Sequence, residues 1–567
     1  MKILGLKLTH DSSFSIIKDS ELICCIEFEK VNNNVRHCQF DINIKKLNAI
    51  LKDYDYHIDD FDCIVIDGWH KEFVESSLFG KKNSELKVND YGGVYIKNKF
   101  SLKCFNKDYH KYYSNTHLES HIWSAYCTSP FVEKGESSFI LVWDGGMVPH
   151  LLYYNFENRK FQNFGGIFNI IGHVYHTFPN KFEPFLDYKQ DDISVAGKVM
   201  AYIALGHVNL KLLKSFSNIY DLKNRKIPTK PKYREAIELA TYELIDRFRN
   251  ASIDKQSFLE KLNSADILHT FHLFINDLLI TEVQKKIETI EGNYTPNLCY
   301  SGGSALNIKW NSALRESKIF DNIWVPPFPN DSGSSIGSAC AGMIYTSSNH
   351  SLKWNVYLGP KLFNREELMM GWEKTGFSLN SLAILIMELD KPIIMINGRA
   401  EIGPRALGNR SILAQATSKE MKQHLNDIKS REFYRPIAPI CLEEYAPRIF
   451  LPGTPDPYML FEHKVKKDWI SKVPAICHLD NSARLQTINS EQNEVIYKLL
   501  SAYHNISGVP LLCNTSANLK GKGFFPDIIS AMQWGKVDFI WSDNTLYFKS
   551  IHNKVVNSFK LIDALSP

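Results

Sequence analysis

The chain contains no Cys-x-x-Cys pair, and its eleven cysteines are an odd number scattered through 567 residues. Neither a disulfide framework nor a zinc-ribbon array organises such a sequence, and a reducing, cytoplasmic setting is expected. No apolar run reaches the ~20 residues of a membrane-spanning helix. The nearest, SLAILIMELDKPIIMI, is broken by Glu388, Asp390 and Lys391 and predicts a helix followed by a strand. The opening MKILGLKLTHDSS turns polar by Thr9 and has no small-residue cleavage site, so it predicts a first strand and not a signal segment. Charge of one sign is missing too: 66 Lys plus Arg against 62 Asp plus Glu leave a formal +4. Spread over this length, that excess calls for neither nucleic acid nor a membrane surface as partner. GxxxxGK[ST], a Rossmann fingerprint after the first strand and HExxH are all absent. Any ATP must therefore be held in some other way.

What is present is apolar mass, 44% hydrophobic with 34 Phe, 26 Tyr and 10 Trp, enough for two or more cored domains. The runs ILGLKL, FSIIKD and ELICCIEFE predict a small antiparallel meander, with a further strand in DCIVIDG. THLESHIWSAYCTSP predicts a helix closed by proline, and SSFILVWDGG the strand after it. Apolar positions recurring every three or four residues predict helices through 196–290. Periodicity is lost between about 342 and 375, which places a domain boundary there and a second unit of mixed strands and helices beyond it.

Three groups of residues could carry chemistry. His117 and His121, four apart in a helix, project from one face at a spacing that suits one metal ion; Asp144 at a strand end and Asp331 in a Pro/Gly-rich turn could complete an N2O2 set for Fe(II), Zn(II) or Mn(II). The bland alternative is a satisfied histidine pair and solvent-facing carboxylates. Ser301, Gly302 and Gly303 in CYSGGSALNI could cradle an anion on free backbone N–H groups, or merely turn a tight strand-to-helix corner. In the second unit Arg399, Arg405, Arg410, Lys429, Arg431, Arg435 and Arg484 sit beside Gly-Pro or Arg-Pro corners, where a planar fork suits phosphate or carboxylate, the alternative being ion pairs in surface loops. His478 with Asp480, and the run Asn514 to Asn518 including Ser516, add polar side chains able to hold a small amide or sugar hydroxyl.

Taken together, NGRAEIGPRALGNRSILA, KSREFYRPIAPI, PYM at 457–459, HLDNSARLQT and VPLLCNTSAN, preceded by THLESH, VWDGG, AGKVMAYIALG, SGGSALN and PPFPNDSGSSIG, resemble the NodU/CmcH family of O-carbamoyltransferases nearly end to end. The resemblance implies an α/β and α+β chain: a Kae1-like domain of the actin/Hsp70-type ATPase fold over 1–355, and a YrdC-like domain over 356–567. It implies that the second domain makes carbamoyladenylate from carbamoyl phosphate and ATP with Mg(II), and that the first passes the carbamoyl group to an acceptor hydroxyl. On this chain the implied metal ligands are His117, His121, Asp144 and Asp331, with Fe(II) foremost and Zn(II) or Mn(II) as alternatives. The implied catalytic residues are His10, as base toward the acceptor, with Arg405, Arg410, Lys429 and Arg431. The implied cofactor-binding residues are Lys198, Gly302, Gly303, Asn307, Arg399, Arg435, Arg484, Asn514, Ser516 and Asn518.

The implied partner is a small-molecule or saccharide hydroxyl, with no nucleic acid and no membrane, and room for a homodimer. A threonylcarbamoyladenosine-type tRNA enzyme and an inactive nucleotide-binding scaffold are the alternatives. The first would show a basic surface that the small net charge does not supply, and the second would not retain both histidines, both aspartates and the arginines. The chain departs from the family pattern at EFEKV, at Arg36 and His37, and at Ala517 in NTSAN, where a missing phenyl ring would enlarge the space around the donor or remove a stacking partner.

Overall fold

Dense apolar residues with few breaks make the opening strands, and their pairing sets the first sheet. Lys2–Lys7 pairs antiparallel with Ser13–Lys18, Ile3 facing Ile17 and Leu4 facing Ile16, and on its other side runs parallel to Cys63–Ile66. Glu21–Glu27 lies next to Ser13–Lys18, so the three opening strands form the expected meander, and the parallel strand Cys63–Ile66 makes the sheet mixed. The computed structural model describes every residue except 81–83, 93–101, 190–191, 224–232, 255–260, 348, 364–367 and 566–567.

Two compact units result: Met1–Ile23 with Gln39–Trp354, and Cys24–Cys38 with Asn355–Pro567. In the first, a six-stranded sheet runs in the order Glu21–Glu27, Ser13–Lys18, Lys2–Lys7, Cys63–Ile66, His110–Ser114, Lys103–Lys107. A five-stranded sheet runs Lys160–Gly166, His150–Asn155, Ser138–Val142, Asn297–Ser301, Asn322–Trp324. Two helices, His117–Tyr126 and Ser334–Thr346, pack on each other and on this framework. They approach closely because Gly337 has no side chain: a Cβ there would overlap the Ser120 carbonyl. Between residues 194 and 288 the expected helices are present, as Ser194–Tyr202, Leu210–Lys223, Tyr233–Ile253 and Ser264–Glu288. Phe178, Phe216, Phe248, Phe271 and Phe274 fill the space between them, with ring centroids 4.1–6.3 Å apart.

The second unit is built on an eight-stranded mixed sheet in the order Trp372–Gly376, Thr545–Lys549, Phe539–Ser542, Ile393–Ile396, Arg410–Ala414, Leu511–Ser516, Ala438–Leu442, Gln486–Ile488. SLAILIMELDKPIIMI is the helix Leu379–Leu389 followed by the strand Ile393–Ile396, as its charge breaks predict. Cys24–Cys38 joins this unit through the Lys30 ammonium, which bonds the carbonyls of Glu401 and Gly403 at 2.7 Å each and pairs with Glu27. Arg36 N–H donates to the Gly521 carbonyl at 3.0 Å. Ala517 is fully buried in the main core of this unit. Among the described residues no helix is long and apolar enough to cross a membrane.

Candidate active site

In the first unit, the helix His117–Tyr126 starts at a capping box in which Thr116 and Glu119 satisfy each other's backbone N–H groups, and this fixes His117 at the first helical position and His121 one turn on. Asp144 follows the strand Ser138–Val142, and Asp331 opens the 3-10 turn that leads into Ser334–Thr346. All four side chains are buried, and each brings one ligand atom to within 4.8 Å of the other three. His117 Nε2 and His121 Nε2 are 3.2 Å apart. Asp331 Oδ1 lies 3.4 and 3.5 Å from them, and the Asp144 oxygens 3.8 Å. Four ligands held at ~2.1 Å around one ion would stand about 3.4 Å apart. The spacing and the N2O2 donor set fit a single first-row divalent metal.

A surrounding layer orients these ligands. Asp67 Oδ2 lies 2.8 Å from His117 Nδ1, so that nitrogen carries the proton and Nε2 is left to face the group. Ser120 donates to Asp67 Oδ1 at 2.5 Å. Burial raises the Asp67 carboxyl, but His117 and Lys7 outweigh it and hold it at about 2. Tyr91 O–H donates to Asp144 Oδ2 at 2.6 Å, and Gly303 N–H to Asp144 Oδ1 at 2.8 Å. Burial opposes ionisation of Asp144 and Asp331 as well, yet the histidines, and for Asp331 also Lys7, keep both well below the ordinary carboxylate range. His10 is half-exposed at the edge, with Nδ1 2.9 Å from Asp11 Oδ2 and Nε2 3.4 Å from Asp331 Oδ2. Burial works against its protonation, but Asp331 and Asp11 raise its pKa above the usual imidazole value.

The Gly-rich turn has a different role from the anion cradle expected of it. Gly302 takes φ +93°, and a Cβ there would stand 2.5 Å from the Trp143 carbonyl, so only glycine lets the turn close on Asp144. The N–H of Gly303 is then given to the Asp144 carboxylate. Asn307 caps the helix Ile308–Ser317, accepting from Lys309 and Trp310 N–H. Lys198 is not brought to this group by any described contact; it bonds Ser194 at 3.1 Å and lies 3.9 Å over the Tyr188 ring.

The expected basic residues of the second unit divide into two sets. Arg410 is buried, with its guanidinium spent on main-chain carbonyls: Nε on Phe525, one terminal nitrogen on Asn397 and Asn409, the other on Gly398, at 2.9–3.2 Å. Arg399 likewise donates to the carbonyls of Gly359 and Leu358. Lys429 places its ammonium on the carbonyls of Ser516 and Asn518 and on Asn518 Oδ1 at 2.6–2.8 Å. Asn518 uses its amide on Leu519 and Lys522 carbonyls, and Asn514 uses its own on Ala406 and Gln486. These side chains are all engaged within the loops of the second unit.

Arg405, Arg431, Arg435 and Arg484 form the other set, joined by Arg36, which sequence reasoning left out of the site. Burial and then the charges of Arg36, Arg435 and Arg431 push Arg405 down to about 10. Burial, then Arg435, Arg484 and Arg36, push Arg431 down to about 9. Arg484 is lowered for the same reasons, relieved only by Asp456, whose carboxylate oxygens already accept from Leu460 and Phe461 N–H. Arg431 points one nitrogen at Thr515 Oγ1 at 3.0 Å and the other at Ser516 Oγ at 3.4 Å. His478 is held by Asp480 at 3.3 Å and the Tyr434 carbonyl at 3.2 Å. Arg36 and Arg435 also face Glu29 and Glu432, at 3.5 and 3.8 Å, whereas the part-buried guanidiniums of Arg405, Arg431 and Arg484, lowered by their neighbours, form a site that an anion would stabilise.

The carbamoyltransferase N-terminus family model matches residues 2–340 and the carbamoyltransferase C-terminus model residues 385–549. Nodulation protein U of Rhizobium tropici is 42% identical, over 97% of this chain and 96% of its own length. The protein of the same name from Bradyrhizobium diazoefficiens is 40% identical over the full length of both. The 3'-hydroxymethylcephem-O-carbamoyltransferase of Streptomyces clavuligerus is 28% identical over 96% of this chain and 99% of its own. The chain belongs to the carbamoyltransferase family and is an enzyme of that class.

Proposed function

We propose that the protein is an ATP-dependent O-carbamoyltransferase that activates carbamoyl phosphate in its second unit and carbamoylates a hydroxyl of a small molecule or saccharide in its first. The observation that carries the two-step reading is the group of part-buried guanidiniums at Arg405, Arg431 and Arg484, each held below its ordinary pKa by burial and by neighbouring arginines. Two phosphate-bearing substrates, carbamoyl phosphate and ATP, would use such a concentration of guanidiniums. The O-carbamoyltransferase relative supplies the class of acceptor, a hydroxyl. The two units are assigned a Kae1-like and a YrdC-like fold on the same reading.

In the first step water adds to the carbonyl carbon of carbamoyl phosphate and the C–O bond to phosphate breaks, giving carbamate and inorganic phosphate. The carbamate released attacks the α-phosphorus of ATP, with pyrophosphate leaving. Arg405, Arg431 and Arg484 bind and orient the phosphates, and Thr515 and Ser516, held by Arg431, face the same space. In the second step the acceptor oxygen attacks the carbamoyl carbon, the bond to AMP breaks, and the acceptor proton goes to His10, which Asp11 orients through Nδ1. A metal held by His117, His121, Asp144 and Asp331 would supply Lewis acidity and orientation at the adenylate. Asp67 and Tyr91 fix the donor atoms of His117 and Asp144 for that purpose.

The test is exchange of labelled pyrophosphate into ATP by the purified protein, with hydroxylamine added to trap the carbamoyl group as hydroxyurea. Exchange and trapping that both require carbamoyl phosphate are expected. Exchange independent of carbamoyl phosphate, or none at all in protein reconstituted with Fe(II), would overturn the reading.

A further inference from the structure

Lys7 has no part in the reading above. It ends the strand Lys2–Lys7, and its side chain is 1% exposed at the centre of the histidine–aspartate group. Its ammonium lies 2.8 Å from Asp67 Oδ2, 2.9 Å from Asp331 Oδ2 and 3.4 Å from His117 Nδ1. The remaining face stands 4.5 Å over the Trp69 ring. The two oxygens of Asp331 thus have different neighbours. Oδ1 faces the Nε2 atoms of His117 and His121, while Oδ2 faces Lys7 at 2.9 Å, with His10 Nε2 farther off at 3.4 Å. A buried lysine is costly unless it is paired, and this one is paired with Asp331 and Asp67.

We propose that Lys7 is a positioning residue that fixes the coordination number of the metal site. By occupying Asp331 Oδ2 it makes Asp331 a one-oxygen ligand. By bracing Asp67 it holds His117 with Nε2 inward. Its fixed positive charge also offsets one carboxylate, which weakens the hold on a divalent ion. The consequence is a four-ligand site with open positions for substrate oxygen, in place of a closed cage that the same residues could otherwise form. This inference rests on the metal reading of His117, His121, Asp144 and Asp331.

The experiment is titration of the metal-free full-length protein with Co(II), read by the intensity of its visible d–d bands and by affinity in competition with a chelator. The proteins compared are wild type, Lys7→Met, Lys7→Gln, Lys7→Arg and His117→Ala. Wild type is expected to bind one Co(II) with strong bands of low coordination number, and His117→Ala to lose it. Lys7→Met and Lys7→Gln are expected to bind at least tenfold tighter with weakened bands, as Asp331 contributes its second oxygen. Lys7→Arg keeps the charge and is expected to stay within threefold of the wild-type affinity. It also serves as the deciding variant if the neutral ones do not fold, since a tenfold rise in affinity with the charge retained would overturn the proposal. Wild-type affinity and band intensity in Lys7→Met or Lys7→Gln would overturn it as well. Absence of Co(II) binding in wild type would instead sink the metal reading itself.

Discussion

Arg410 offers the sharpest discrimination between building a site and acting in it. Its four hydrogen bonds to Phe525, Asn397, Asn409 and Gly398 tie the two ends of the loop 397–410 to the loop carrying Phe525. Lysine keeps the charge but radiates its donors from one point, so it cannot reach the Phe525 and Gly398 carbonyls together. Losing two charge-assisted bonds, each contributing roughly 1.5–3 kcal/mol, makes Arg410→Lys about 3–6 kcal/mol less stable in the second unit. Glu401 sharpens the effect, because its Oε1 accepts the backbone N–H groups of Leu407, Asn409 and Arg410, and displacement of the strand start would loosen all three.

The assay is hydrogen exchange resolved by peptide mass spectrometry over 397–414, with urea unfolding followed by tryptophan fluorescence. Faster exchange in this segment and a lowered urea midpoint are expected, while pyrophosphate exchange per folded molecule at low temperature falls less than tenfold. The reasoning is refuted if stability stays within about 0.5 kcal/mol of wild type, inside the scatter of ordinary surface substitutions, while pyrophosphate exchange drops a hundredfold. That pattern would mean that Arg410 leaves its carbonyls to contact phosphate.

The same residue shows what sequence could and could not convey. An arginine beside a Gly-Pro corner reads alike whether it faces a ligand or four carbonyls, since backbone acceptors have no letter of their own. Arg410 and Arg399 were therefore indistinguishable from Arg405 and Arg431 until the chain was folded. The pair His117 and His121 was legible because helical periodicity alone puts residues four apart on one face. Asp67, Tyr91 and Lys7 were not, because they reach the histidines from a strand end and two loops with no fixed spacing to them. SGGSALN carried a true signal for a strand-to-helix turn, but a free N–H on glycine serves a buried carboxylate as well as a phosphate, and Asp144 is the partner it found. Arg36 was concealed for a topological reason: Cys24–Cys38 belongs with the second unit although it lies within the first in sequence.

Three further outcomes are expected. Arg431→Lys keeps a charge but loses the two-pronged reach to Thr515 and Ser516; pyrophosphate exchange should fall at least tenfold with the urea midpoint little changed, and equal exchange would place phosphate elsewhere. His10→Gln retains a donor but cannot accept a proton, so transfer to the acceptor should drop by about a hundredfold or more with hydroxyurea trapping intact, and near-normal transfer would leave His10 only a positioning role. The last outcome concerns acid stability. His150, buried and bonded to Asn163 at 2.8 Å, is pushed down to about 4, chiefly by burial. Between pH 6.5 and 4 the unfolded chain therefore binds a proton that the folded one refuses, and stability falls as pH drops through that window, by up to about 3 kcal/mol from this residue. His150→Gln, which keeps the bond to Asn163 but does not titrate, should flatten the decline of urea stability between pH 6.5 and 4; an unchanged slope would show that His150 is protonated in the folded protein or that other groups govern the acid limb.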